Sequence, residues 1–194
     1  MAQNETIKTI MLRRSVRSYT WLPVPGDVLK AVLDAGQAAP YVSPGSRHFT
    51  VIRDRPLVAE IGKAAAAEGA KISEWHRRTF SAAGFDGTYG APVLVLLSGK
   101  ESTVQYEAVV AAAVQNILIA AGSLGLSSCW AYFPVFIFHG ENANEWKTRL
   151  KIPEGFKPCA GVLLGYSDGD PLKQNGTENG SPPTGGNAVT FIGE

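Results

Sequence analysis

Residues 104–124, VQYEAVVAAAVQNILIAAGSL, are apolar on nearly every side of a helix, interrupted only by Gln105, Tyr106, Glu107, Gln115 and Asn116. A helix without a continuous polar face has to be buried. A membrane span needs about 20 largely apolar residues, whereas here the Gln115-Asn116 pair breaks the middle and small alanines dominate. The segment therefore reads as the central helix of a core. Its small residues permit close packing, within one chain or across a subunit interface.

The flanking sequence supplies what such a helix packs on. Upstream, residues 91–100, APVLVLLSGK, form a continuous apolar run of strand length, which suits a central strand covered on both faces. Downstream, SSCWAYFPVFIFHG (127–140) reads as a strand and then an aromatic loop, and ANEWKTRLKIP as a helix stopped by Pro153. PCAGVLLGYSDGDP (158–171) is another apolar strand ending in a turn. Further out, residues 5–14 have the pattern of a helix. VPGDVLKAVLDAGQAAP (24–40) is a second one, with Val28, Leu29, Val32, Leu33 and Ala35 on its apolar face and Pro40 ending it. A Pro/Gly/Ser loop, YVSPGSRH, leads to a strand at FTVIRD, and residues 57–83 look helical. The tail from Asp168 to Asn187 is a Gly/Pro/Asn-rich linker, and AVTFI closes as a strand.

A chain of 194 residues with 18 Lys+Arg against 17 Asp+Glu reads as one domain without the basic field that nucleic acid or anionic lipid requires. Cys129 and Cys159 stand apart from each other and from any histidine pair, so no metal site and no redox dithiol is expected. They read as thiols of a reducing compartment. The N-terminal MAQNETIKTI lacks a secretion signal, and the expected location is the cytoplasm. Serine-nucleophile, zinc-protease, P-loop and dinucleotide-binding motifs are all missing.

One local feature departs from this neutrality. In MLRRSVRSYT (11–20), Arg13, Arg14 and Arg17 surround Ser15. Three cations at a helix end can simply complement the negative end of the helix dipole. Forked guanidinium donors beside a hydroxyl also suit the oxygens of a phosphate monoester.

The same residues resemble the first signature of the nitroreductase family of flavin mononucleotide enzymes, an R-[RH]-S-x-[RK] segment after the first helix, here RRSVR. Further resemblances follow in order: AAP…SRHFTVIRD, GAPVLVLLSGK, AAAVQNILIAAGSLGLSSCW and LKIPEGF…AGVLLGYSDGDP, together covering nearly the whole chain. The resemblance implies an α+β fold with a mixed central sheet flanked by helices, in a homodimer that binds FMN at its interface. Arg13, Arg14, Ser15 and Arg17 would hold the phosphate and ribityl chain. Pro40, Tyr41 and Ser43 would approach the flavin ring from the other subunit, and Ala131, Tyr132 and Phe133 would lie along the ring near N5, where a backbone N–H is the family's usual partner. No side chain is expected to be catalytic, because the flavin carries the redox chemistry.

The implied activity is reduction of nitroaromatic, quinone or similar flat aromatic acceptors by NADH or NADPH, with ping-pong kinetics. Two alternatives share the resemblance: specialised chemistry on the same FMN fold, such as reductive dehalogenation or biosynthetic ring oxidation, and a non-catalytic flavin-binding protein. The chain departs from the family pattern at Ser43, where an Asn is usual, and at Arg47, where a Trp is usual. It also lacks the C-terminal Lys or Arg that many members turn to the phosphate. The aromatic run Phe133–Phe138 suits either a flat apolar acceptor or plain core packing. Residues 63–85 correspond to a substrate lid in relatives, with Trp75, Arg77 and Arg78 either over the ligand or on an exposed helix.

Overall fold

The computed structural model describes residues 4–82 and 85–167, together with 190 and 192. The expected tail, its turn at 168–170 and its closing strand lie otherwise outside the described residues. Helix α1, Glu5–Leu12, starts at Asn4, whose side chain accepts from the Ile7 amide at 2.9 Å, and it buries none of its residues. Helix α2, Gly26–Gln37, turns Leu29, Val32 and Gly36 inward. Strand β1, Arg47–Ile52, leads to α3, Arg55–Gly69, capped by Asp54. The single helical stretch expected over 57–83 is two helices. Helix α3 ends at Gly69 and a turn follows, after which the Ser73 hydroxyl accepts from the His76 amide to start α4, Glu74–Phe80.

Strand β2, Val93–Lys100, is buried at every position but the last, as an apolar run covered on both faces should be. Helix α5, Tyr106–Ser123, follows, then β3, Ser127–Ala131, a six-residue 3-10 helix, Phe133–Phe138, helix α6, Ala143–Arg149, and β4, Phe156–Gly165. The strands stand in the order β1-β2-β4-β3. Every ladder between them is antiparallel, which corrects the expected mixed sheet. Among the described residues, parallel pairing is confined to an isolated bridge between Ser15 and Ser128, where the segment after α1 runs beside β3.

Alternate residues of the sheet feed two cores. Val93, Val95, Leu97, Val162 and Leu164 pack with Ala113, Val114 and Ile117 of α5 and with Val32 of α2. Leu94, Leu96 and Leu163 face the other way, against Ile61 and Ala65 of α3 and Phe136 of the 3-10 helix. Helix α5 is long and apolar enough to cross a membrane by length and composition. It lies instead over the sheet, with Val110, Ile117 and Ala121 buried, and α2 is its helical neighbour. That contact is close because Gly36 has no side chain: a Cβ there would stand 2.7 Å from Ile117 Cγ1. The aromatic run is core packing over Val135, Phe136 and Ile137, all buried.

Candidate functional site

The arginine segment begins where α1 stops. Arg13 takes φ −56° and ψ 133°, so the chain leaves the helix extended, and the Val16 amide donates to the Ser128 carbonyl at 3.0 Å. Side chains of an extended segment alternate between two sides. Val16 and Arg14 are buried, at 1 % and 7 % exposure, while Arg13, Ser15 and Arg17 occupy the alternate positions. Arg14 donates through one terminal nitrogen to the Met11 carbonyl at 2.9 Å and the Arg13 carbonyl at 3.0 Å, holding the C-terminal end of α1.

The other three converge beside β3. Burial raises the pKa of the Cys129 thiol, opposed by the Arg17 charge, a hydrogen bond with Ser15 and the Arg13 charge. Arg17 also hydrogen-bonds Tyr89, whose hydroxyl pKa burial raises and Arg17 lowers. Tyr19 is buried beneath them, donating to the Val16 carbonyl at 2.9 Å. Two guanidinium groups and a hydroxyl thus share one side of a pinned strand-like segment.

At the other end of β3 the chain turns. Ala131 is buried opposite Gly161, and a Cβ at Gly161 would stand 2.8 Å from the Ala131 carbonyl. Tyr132 is 49 % exposed and Phe133 opens the 3-10 helix, followed by Pro134, which has no N–H. Beside the turn lies a groove of about 510 Å³, lined by Trp130, Tyr132, His139, Glu107 and Lys157 among others.

Pro40, Tyr41 and Ser43 are exposed, on the loop between α2 and β1. No hydrogen bond or ring contact joins them to the arginine segment among the described residues. The sheet order explains this: the segment flanks β3 at one edge and the loop enters β1 at the other. With neighbouring strands about 4.8 Å apart, the two edges are separated by about 19 Å.

The Nitroreductase family profile matches residues 10–166. The chain belongs to the nitroreductase family. A curated protein of Methanothermobacter thermautotrophicus, provisionally named NADH dehydrogenase/NAD(P)H nitroreductase, is 28 % identical over 178 residues, covering 88 % of this chain and 82 % of its own. Among solved structures, a Bacteroides fragilis nitroreductase with bound FMN is similar at TM-score 0.84 and 29 % identity, over 98 % of this chain and all of its own. One from Desulfitobacterium hafniense, also with bound FMN, shares the fold at TM-score 0.85 and 24 % identity, over 99 % and 100 %.

In this nitroreductase-family chain, two residues beyond those expected join the candidate site. Tyr89 meets Arg17 from a tight turn, where it and Gly90 both take positive φ, 52° and 71°. Arg47 places its guanidinium on the loop, donating to the carbonyls of Gln37 at 3.1 Å and Ala39 at 2.9 Å. Trp75, Arg77 and Arg78 of α4 are exposed, and Glu74 pairs with both arginines.

Proposed function

We propose that the protein is an FMN-dependent oxidoreductase that draws electrons from NADH or NADPH and delivers them to nitroaromatic, quinone or similar flat aromatic acceptors. One observation carries the reading: the extended segment after α1 turns Arg13, Ser15 and Arg17 to one side of β3, while the Ala131–Phe133 turn closes that strand's other end. This donor set fits FMN. Two planar guanidinium groups match a phosphate dianion and the Ser15 hydroxyl adds a neutral donor. Burial keeps the Cys129 thiol in its neutral form, so no thiolate opposes an anion bound there.

Bound FMN supplies acceptance and donation of hydride at its ring. The chain's own residues position it. Arg13 and Arg17 neutralise the phosphate, with Arg14 bracing the helix end behind them. At the turn, Pro134 lacks an N–H, so the backbone donors available to the ring are those of Tyr132 and Phe133. Pro40, Tyr41 and Ser43 reach the ring from a second copy of the chain, because within one copy they sit at the far sheet edge. The functional unit is therefore a homodimer with two shared sites, each chain acting as one domain over residues 1–194. Donor and acceptor use the same open face in turn, which gives ping-pong kinetics. Two unpaired thiols, Cys129 and Cys159, suit a cytoplasmic setting.

An absorbance spectrum of the purified protein with FMN, followed by anaerobic NADH and then NADPH, tests the reading. Flavin bands that bleach, and return when a nitroaromatic or quinone is added, are the expected result. Flavin that binds but never bleaches would reduce the protein to a carrier. Changing Arg13 and Arg17 together to Ala should release the flavin.

A further inference from the structure

We infer that Arg47 is a positioning residue that latches the 37–41 loop to helix α5, and so sets where Pro40 and Tyr41 stand against the flavin ring. The inference rests on the FMN reading above for its functional consequence, but the latch itself is visible in the geometry. Helix α2 ends at Gln37 with no basic residue in its last turn, so its final carbonyls need donors from elsewhere. Arg47 arrives from the first position of β1 and supplies them. One terminal nitrogen donates to Gln37 O at 3.1 Å and Ala39 O at 2.9 Å, and the other reaches Pro40 O at 3.4 Å and Val109 O at 3.5 Å.

A single planar fork therefore holds three carbonyls of the loop's entry, those of Gln37, Ala39 and Pro40, and ties them to the Val109 carbonyl of α5. Its guanidinium carbon also lies 5.6 Å from the centre of the Tyr41 ring, within cation–π range. The side chain is half-buried, and burial lowers its pKa from the ordinary arginine value. Nothing of this kind is available to an aromatic side chain, which has no fork to divide among carbonyls. Lys offers one point of donation and cannot span the two groups of acceptors at once.

Neighbouring contacts make α5 a firm anchor. Asn116 of α5 donates to the Ala35 carbonyl at 3.0 Å, and Gly36 allows α2 to approach Ile117 closely. The loop beyond Ala39 has no such packing: Tyr41, Val42, Ser43, Pro44 and Gly45 are all exposed. Arg47 is the group that transfers the position of the α2–α5 pair to this loop.

The test compares wild type, Arg47→Ala and Arg47→Lys as purified, by hydrogen exchange with mass spectrometry and by FMN titration. In Arg47→Ala, amides of 38–46 should exchange about tenfold faster while those of β2 are unchanged, and FMN affinity should fall about tenfold. Arg47→Lys should keep β2 protection, recover less than half of the loop protection, and remain informative if the Ala variant fails to fold. Loop exchange equal to wild type in either variant would overturn the latch. If wild type takes up no FMN, the flavin reading falls while the exchange result still decides the latch. If flavin affinity is retained with a loosened loop, the positioning role is overturned and the flavin reading stands.

Discussion

At the scale of single residues, the proposed site gives three neighbouring arginines two different tasks. Arg14 is buried and donates to carbonyls at the end of α1, a placement that suits the bracing task proposed for it. Arg14→Met should lower stability by about 1–3 kcal/mol, the range for losing hydrogen bonds from a charged donor, while FMN affinity changes much less than in Arg13→Ala or Arg17→Ala. Thermal melts and flavin titrations on the three variants check this. His48 behaves differently. Burial holds its imidazole below the free value of 6.5, so the folded state favours the neutral ring. Its contribution is complete above the unfolded pKa and is lost as pH falls below about 6.5 through the depressed folded value. His48→Gln should flatten that acid-side loss in urea unfolding series run between about pH 8 and pH 5.

At the scale of elements, the contact between α2 and α5 sets two familiar tendencies against each other. Helix propensity alone says that Gly36→Ala gains about 1 kcal/mol. A Cβ would stand 2.7 Å and 2.9 Å from Ile117 carbons and 3.2 Å from Phe49, so overpacking decides, and the variant should lose about 1–3 kcal/mol in chemical denaturation. Elements of this kind were legible because their hydrophobic period is strong: VLVLL is buried throughout, whereas the apolar helix at 106–123 lies over the sheet with only 39 % of it buried. The break after Gly69 was not legible, since EWHRRTF continues a helical pattern and only the Ser73 cap separates the two helices. Nor was the division among the arginines. On a continuing helix Arg13, Arg14 and Arg17 would share a face, whereas the extended backbone from Arg13 onward groups Arg13 with Ser15 and Arg17. The latch at Arg47 escaped for a third reason, because its carbonyl partners lie up to 62 residues away in the chain.

At the scale of the whole molecule, the proposed site belongs to a pair of chains. Helix α1 buries none of its own residues and leaves Ile7, Ile10, Met11 and Leu12 all about half in water, a surface suited to contact with another chain. Flavin affinity should accordingly fall on dilution at the concentrations where sedimentation shows dimers dissociating. A monomer that keeps its FMN would contradict the shared site.

The placement of the arginine segment and the 38–46 loop at opposite edges of one sheet has a genetic consequence. In the proposed homodimer, a chain altered at Arg13 and Arg17 and a chain altered at Arg47 would each carry the defect into both sites. When they pair with each other, one site receives both damaged halves and the other receives both sound ones. Two such impaired alleles expressed together should therefore complement, giving one sound site in every mixed pair.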